Sequence, residues 1–375
     1  MEGDFIKVRD SLLPLSWLYG GAVGLRNFCF DVGLLKSHAF NVPVIGVGNI
    51  TVGGTGKTPH VEYLVRLLQK SFRVAVLSRG YKRKSKGFLL ADGQTTVQDI
   101  GDEPMQMKQK FPDISVAVDK KRVHGIRQLT DNDKQLDVIL LDDAFQHRYV
   151  KPGVNILLVD YHRLIIYDKL LPAGRLREPL SGKNRADIVI VTKCPKELKP
   201  MEFRVITKAM SLYPYQHLYF TTIDYDQPYA VFGKREKLAI PSASPASLLS
   251  FPDHHVLLLT GIASPRQLKE DLSPLIPHLT PLTFADHHRF RPKDIERIND
   301  AFAQLPSPKF ILTTEKDATR LASAEGLSEE VCQSLYAIPV RVAFMQQQQE
   351  EKFCEFIVGY VHKNSRNSIL ATQSE

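Results

Sequence analysis

The chain is 375 residues long with 43% hydrophobic and 24% charged residues, the balance of a soluble globular protein with room for two domains, each with its own core. Forty-nine Lys and Arg against 41 Asp and Glu give a formal charge of +8, which suits phosphates, anionic lipid surfaces or nucleic acid without choosing among them. Cys29, Cys194, Cys332 and Cys354 are widely spaced with no C-x-x-C pair, so neither a disulfide framework nor a zinc site is suggested and a reducing cytoplasm fits.

Residues 12–25 carry no charge, contain Trp17 and Tyr19, and are flanked by Lys7, Arg9 and Arg26. The segment is short for a membrane span. It reads either as an interfacial helix whose cations face anionic lipid, or as a helix packed on the protein's own core. Gly20 and Gly24 permit close helix contact in both cases. A signal peptide is disfavoured, because Glu2 and Asp4 offset the basic residues and no small-residue cleavage site follows.

Residues 44–68 read as strand, glycine-rich turn and helix. An apolar run at 42–47, entered at Pro43, has the character of a buried parallel strand. Thr51-Val52-Gly53-Gly54-Thr55-Gly56-Lys57-Thr58 follows. Its three glycines leave backbone N–H groups free to wrap phosphate oxygens at a helix N-terminus. Lys57 reaches the outer phosphates in this pattern and Thr58 offers its hydroxyl to Mg²⁺. Thr51 stands where the usual pattern has its first glycine. Val61, Leu64, Val65 and Leu68 then fall on one helical face, with Pro59 in the first turn.

Further strands are predicted at 73–77, 114–118, 137–141, 154–160 and 187–191, with a helix at 120–129. A basic loop, Ser78-Arg79-Gly80-Tyr81-Lys82-Arg83-Lys84, leaves the first of these. Arg79 and Tyr81, nearest the strand end, are candidate ligand contacts, whereas Lys84 and Lys86 read as a solvated turn. Asp102 and Glu103 open a helix, where acids suit the dipole. Asp142-Asp143-Ala144-Phe145-Gln146-His147 ends an apolar strand, and an aspartate delivered there is what a P-loop enzyme uses to hold its magnesium. In Thr192-Lys193-Cys194-Pro195, the proline occupies the position of a guanine-reading aspartate, which disfavours a GTPase.

After about residue 196 the pattern changes, with strands at 218–223, 256–259 and 310–313, helices at 265–272 and 292–305, and a surface loop at 241–247. The cluster Ala285-Asp286-His287-His288-Arg289-Phe290 suggests proton handling or orientation rather than zinc, since adjacent histidines do not easily ligate one ion. Thr314-Glu315-Lys316-Asp317 follows a strand at a ligand-facing end. A helix at 353–361 precedes a polar, disordered tail. The fold class is therefore α/β: a P-loop NTPase-like, doubly wound, mainly parallel sheet with a second, smaller α/β domain and an N-terminal membrane-associating helix. The expected domains are 1–40 (apolar helix), 41–195 (P-loop kinase), 196–345 (second α/β domain) and 346–375 (C-terminal helix and tail).

Taken in order, these stretches resemble the tetraacyldisaccharide 4'-kinases, the ATP-dependent lipid A kinases of Gram-negative bacteria. The resemblance rests on Leu13-Pro-Leu-Ser-Trp-Leu-Tyr19, residues 48–59, Ser78-Arg-Gly-Tyr81, Gly101-Asp-Glu-Pro104, Asp142-Asp-Ala-Phe-Gln-His147, Leu171-Pro-Ala-Gly174, Ala285-Asp-His287 and Thr314-Glu-Lys-Asp317. Thr51 is usual in that family, and Ala144 replaces its usual glycine. The resemblance implies transfer of the γ-phosphate of ATP to the 4'-hydroxyl of a tetraacyl glucosamine disaccharide 1-phosphate. It implies a place at the cytoplasmic face of the inner membrane, peripheral or held by one N-terminal anchor. A monomer is expected, and no nucleic-acid partner, since no basic patch is interleaved with aromatics. It assigns Thr51 to Thr58 to ATP, Thr58 with Asp142 or Asp143 to Mg²⁺, and Asp102 to the catalytic base, assisted by His287. Tyr81, Glu103, Arg122, Gln146, His147 and Arg177 match positions near nucleotide or substrate. A P-loop enzyme with a soluble substrate and a nucleotide-dependent membrane switch remain the competing readings.

Overall fold

A computed structural model describes residues 8–233, 253–262, 265–286 and 288–372, with side chains described to residue 365. By contacts the chain divides into two compact units, Met1–Ile223 with Val342–Glu375, and Asp224–Arg341.

The first unit contains α1 (Leu13–Asp31), β1 (Val44–Gly48), α2 (Lys57–Leu68), β2 (Val74–Ser78), β3 (Leu89–Leu90), α3 (Val97–Ile100), α4 (Asp102–Lys110), β4 (Ser115–Val118) and α5 (Arg122–Asn132). It continues through β5 (Val138–Asp142), β6 (Val154–Asp160), β7 (Ile188–Thr192), α6 (Pro200–Met210) and most of β8 (His217–Tyr225). Every residue of β1, β2, β5 and β7 is buried. That is why these strands read as unbroken apolar runs rather than alternating ones: helices cover both faces of a parallel sheet.

The second unit contains β9 (Tyr229–Ala230), β10 (His255–Thr260), α7 (Pro265–Leu272), β11 (His278–Thr283), α8 (Pro292–Ala303), β12 (Lys309–Thr314), α9 (Glu315–Leu321), α10 (Glu329–Ser334) and β13 (Leu335–Ile338). β14 (Val340–Phe344) returns the chain to the first unit, where α11 (Gln347–Thr372) completes it.

The large sheet has the order β14-β8-β7-β6-β1-β5-β2-β4-β3. β1 is central, parallel to β5 on one side and β6 on the other, so the crevice beyond its C-terminal end is the topological switch point, where doubly wound sheets bind ligands. Val47 pairs with Asp142, which sets the aspartate turn beside the start of the glycine-rich loop. The smaller sheet runs β11-β10-β12-β13-β9, with β9 antiparallel to β13.

The unit boundary at Asp224 lies well beyond the predicted change near 196, because β8 pairs in parallel with β7 and so extends the first sheet. The C-terminal helix is also longer than predicted, and Phe353, Ile357 and Val361, one turn apart, are buried in the first unit's core. The loop predicted at 241–247 lies outside the described residues.

α1 is docked by polar contacts. Ser16 Oγ donates to Leu170 O (3.0 Å), Tyr19 Oη to Arg177 O (2.7 Å), and Arg26 to Gln146 O (3.2 Å). A Cβ on Gly20 would lie 2.7 Å from Leu170 Cδ1, so this glycine does allow close approach, whereas nothing lies within 4 Å of one on Gly24. The other side of the helix exposes Leu15, Trp17, Leu18, Leu25 and Phe28. Among the described residues no helix is long and apolar enough to cross a membrane.

Candidate active site

The glycine-rich loop leaves buried β1 through Asn49 and Ile50, neither of which is exposed. Its first residues are laced to a facing segment: Arg177 N donates to Ile50 O (2.7 Å), Thr51 bridges to Leu176, and Val52 N donates to Arg175 O (2.8 Å). Asn49 Nδ2 donates to Thr55 Oγ1 (2.9 Å) across the base of the loop. Gly56 caps α2 with φ of +79°, a left-handed conformation that a Cβ would strain. Two supports come from a segment that sequence reasoning used only against a GTPase. Thr192 Oγ1 donates to Thr55 O (3.0 Å), and Lys193 Nζ donates to Gly54 O while holding Asp160 (2.7 Å). His60 sits below, with its ring nitrogens 2.7 Å from Gly56 O and 3.1 Å from Thr221 Oγ1. Burial pushes its pKa down to about 4, so it is a neutral strut at physiological pH.

Facing the loop, Lys57 Nζ lies 3.5 Å from Asp143 Oδ1, and Arg177 lies 3.6 Å from the same oxygen. These are ion-pair distances, long for hydrogen bonds. Burial pushes the Asp143 carboxyl up, but Lys57, Arg177 and Arg122 outweigh it and the net shift is downward. Asp142 goes the other way. Burial, Glu103 and Asp143 push it up to about 7 against Lys57 and Arg122, so near neutral pH Asp142 stands between its protonated and ionised forms beside a charged Asp143. Ser78 Oγ donates to Asp142 Oδ2 (3.3 Å), while Oδ1 of both aspartates is buried without a hydrogen-bond partner. Two buried carboxylate oxygens without hydrogen bonds, beside a lysine and the start of α2, fit a divalent cation, which would bond to them and reverse the upward shift of Asp142. Among the described residues no three His, Cys, Asp or Glu side chains form a ready-made cage. Mg²⁺ needs none, since it is held by one or two carboxylates with phosphate and water oxygens.

The remaining predicted residues fall into distinct places. Asp102 and Glu103 form the first turn of α4, and Glu103 is near enough to act on Asp142. Gly101, before them, has φ of +92°, and a Cβ there would lie 2.8 Å from Tyr81 O. This backbone contact brings the loop carrying Arg79 and Tyr81, both exposed, against the start of α4. Arg122 is only 2% exposed, and its guanidinium donates to Asp119 O (2.9 Å) and Asp142 O (3.2 Å). It is therefore built beneath the aspartate turn, with its Nε buried and without a hydrogen-bond partner. Gln146 is a structural hub: Nε2 donates to Asn49 O (2.5 Å) and Glu178 Oε1 (3.1 Å). Its partner Glu178, 2% exposed and paired with Arg185 (2.8 Å), was not singled out from sequence. His147 is held down to about 4 by burial and by Arg122, Arg26 and Arg79.

In the second unit, Asp286 pairs with Lys316 (3.5 Å) and His288 with Asp294 (3.0 Å). His287 lies outside the described residues. Asp317 is fully buried, accepting from Gly261 N (2.8 Å), Thr314 Oγ1 (2.7 Å) and Arg320 (2.9 Å), so this strand end is knotted together rather than open.

Fold and site together define an α/β P-loop protein that handles a nucleoside triphosphate. The profile of the LpxK family, tetraacyldisaccharide-1-P 4'-kinase, matches residues 8–358. Among similar proteins, the tetraacyldisaccharide 4'-kinase of Phocaeicola vulgatus is 57% identical, over 98% of this chain and 99% of its own. That of Bacteroides thetaiotaomicron is 51% identical, over 98% of this chain and 97% of its own. A crystal structure of the "apo" form of LpxK from Aquifex aeolicus in complex with ATP is similar over 94% of this chain and 99% of that one, with 31% identity and a TM-score of 0.70. The chain belongs to the tetraacyldisaccharide-1-P 4'-kinase family and is an ATP-dependent kinase of a lipid A precursor.

Proposed function

We propose that the glycine-rich loop and the aspartate turn form the phosphoryl-transfer site, and that Asp102 activates the 4'-hydroxyl of the tetraacyl disaccharide 1-phosphate. The observation that carries this reading is the Lys57–Asp143–Arg177 ion cluster, with Oδ1 of both Asp142 and Asp143 buried and without a hydrogen-bond partner. Backbone N–H groups from Thr51 to Thr58 cradle the ATP phosphates, with Lys57 on the outer ones. Thr58, Asp142 and Asp143 hold Mg²⁺, which when bound neutralises charge on the phosphate oxygens. Asp102 orients the sugar hydroxyl and takes its proton as the oxygen bonds to the γ-phosphorus and the bond from that phosphorus to the β,γ-bridging oxygen breaks, releasing ADP. Arg79, Tyr81 and Glu103 line the approach, Arg177 steadies Asp143, and Arg122, Gln146 and His147 act through the loops they support. His287 is a kinetic question here, answered by the effect of His287→Ala on kcat. The direct test is incubation with ATP, Mg²⁺ and the tetraacyl disaccharide 1-phosphate. The lipid gains the mass of one phosphoryl group, and no gain would refute the reading.

Asp142 gives a pH signature. Its folded pKa, about 7, is raised above the ordinary 3.8. The stabilisation from holding it protonated is complete below the unfolded value and is lost as pH rises through the folded one. Without Mg²⁺, stability attributable to Asp142 declines between about pH 4 and about pH 7, by at most about 1.4 kcal/mol per unit. Denaturant melts show that slope flattened in Asp142→Asn, while added Mg²⁺ opposes the decline and releases a proton on binding. Parallel slopes in the two proteins would contradict the assignment.

The enzyme acts as a monomer lying on the cytoplasmic face of the inner membrane through the outer side of α1. Support comes from the exposed Trp17, Leu18, Leu25 and Phe28 on a helix fastened from behind. Burying one Leu side chain is worth about 1.5–3 kcal/mol, so Leu18→Glu with Leu25→Glu lowers partition onto anionic vesicles by about 100-fold or more. Trp17 fluorescence reports the binding directly, and unchanged partition would count against the membrane role.

A further inference from the structure

We propose that Glu62 is a positioning residue: a charged clamp that sets the register of the nucleotide helix α2 against α4, the helix that carries Asp102. The inference rests on the proposed role of Asp102.

On α2, residues 58, 62 and 66 lie one turn apart on one stripe, and on α4 so do residues 102, 106 and 110. The two stripes face each other. Gln106 Nε2 donates to Glu62 Oε1 (2.9 Å), Lys110 Nζ lies 2.7 Å from Glu62 Oε2, and Arg66 lies 3.3 Å from the same oxygen. The Arg66 guanidinium then stands 5.6 Å from the ring centre of Phe111, which follows α4. The contacts therefore climb both helices together. Glu62 is 1% exposed, and its α2 neighbours Val61, Leu64 and Val65 share a core cluster with Met107 and Phe111.

Apolar packing between these helices would hold them together without choosing an axial register, whereas a fully bonded buried carboxylate has one position that satisfies it. One turn back from Glu62 and from Gln106, about 6 Å along each helix, stand Thr58, the second residue of α2, and Asp102, the first of α4. The clamp thus fixes, through two short rigid helical segments, where the phosphate-binding end of one helix stands relative to the acid-bearing end of the other. A buried ion pair is a poor source of net stability, since apolar replacements of similar volume are often neutral. Its benefit here is geometric.

That difference provides the test. In Glu62→Leu/Lys110→Met the pair is replaced by apolar groups, and kcat is measured alongside KM for ATP and the melting temperature. The expected result is a melting temperature equal to or above wild type, an unchanged KM for ATP, and a kcat about 10- to 100-fold lower, the cost of a displacement of about 1 Å in a reacting group. Glu62→Gln, which keeps the shape and the Gln106 contact, falls between. Wild-type kcat in the folded double variant would overturn the inference, as would activity losses that merely track melting temperature across the set. Asp102→Ala in the same assay separates the two levels: if it keeps wild-type kcat, the reading of Asp102 fails, and if its kcat falls while the double variant is unimpaired, the clamp alone fails.

Discussion

Lys57→Ala lowers kcat/KM for ATP by about 10²–10³-fold, the scale for removing one positioned charge from a phosphoryl-transfer site. Lys57 acts twice in this structure. Toward ATP it is, in the function proposed, the cation of the loop, a compact point charge at the head of α2. Toward the protein, it leads the charges that lower Asp143 and is one of the two that restrain Asp142. Its removal leaves Arg177 and Arg122 to hold Asp143, and lets Asp142 take up a proton at still higher pH. The variant's residual activity therefore has its acid limb displaced to higher pH, besides being low. Lys57→Arg does not rescue it, because a planar fork on a longer stem cannot occupy a turn shaped for an ammonium. The measurements are steady-state kinetics over a pH series at saturating Mg²⁺, and full activity in Lys57→Ala would remove the loop from the chemistry.

What could be read from sequence, and what could not, follows the range of the interactions. The glycine-rich loop, its strand and its helix lie within 25 consecutive residues, and each announces itself by backbone chemistry or periodicity, so β1 and α2 lie close to where they were expected. The aspartate turn was legible for the same reason, being a strand end with two acids. The assignment of β8 to the first sheet was not, since it depends on pairing with β7 across a helix and on a C-terminal strand and helix that return after more than a hundred residues. Buried charges were the other blind spot. Glu62, Arg66, Gln106 and Lys110 at four-residue spacing look like solvated helix faces, and only their apposition turns them inward. Arg122 is a further case: the family resemblance sets it near nucleotide or substrate, and the structure buries it under Asp142, a depth that its place in the first turn of a helix does not announce. For α1 the sequence offered two readings, core or interface. The helix has one side docked through hydroxyls, backbone and the buried Phe30, and another that exposes Trp17 and Leu18, so neither side alone decides between the two readings.

Asp102→Ala lowers kcat by about 100-fold or more while leaving the KM for ATP close to wild type. General bases contribute about 10²–10⁴-fold, and the lower part of that range applies here. Phosphoryl transfer proceeds through a loose transition state, in which the attacking hydroxyl still holds much of its proton, so most of what the carboxylate does is aim the oxygen. Asp102→Asn, which keeps a hydrogen-bond acceptor but no charge, then retains more activity than the alanine variant, and the difference between the two separates aiming from proton transfer. Neighbouring Glu103 does not replace it. That side chain already acts on Asp142 and holds its proton affinity up, and a carboxylate engaged with the aspartate pair is in the wrong electrostatic relation to a neutral hydroxyl. Consequently, Glu103→Gln lets Asp142 ionise at lower pH and moves the acid limb of activity downward, whereas Asp102→Asn lowers the plateau. Two adjacent acids at one helix start thus have separable signatures in a single pH series, and the same displacement of the limb in both variants would mean that neither has a role of its own.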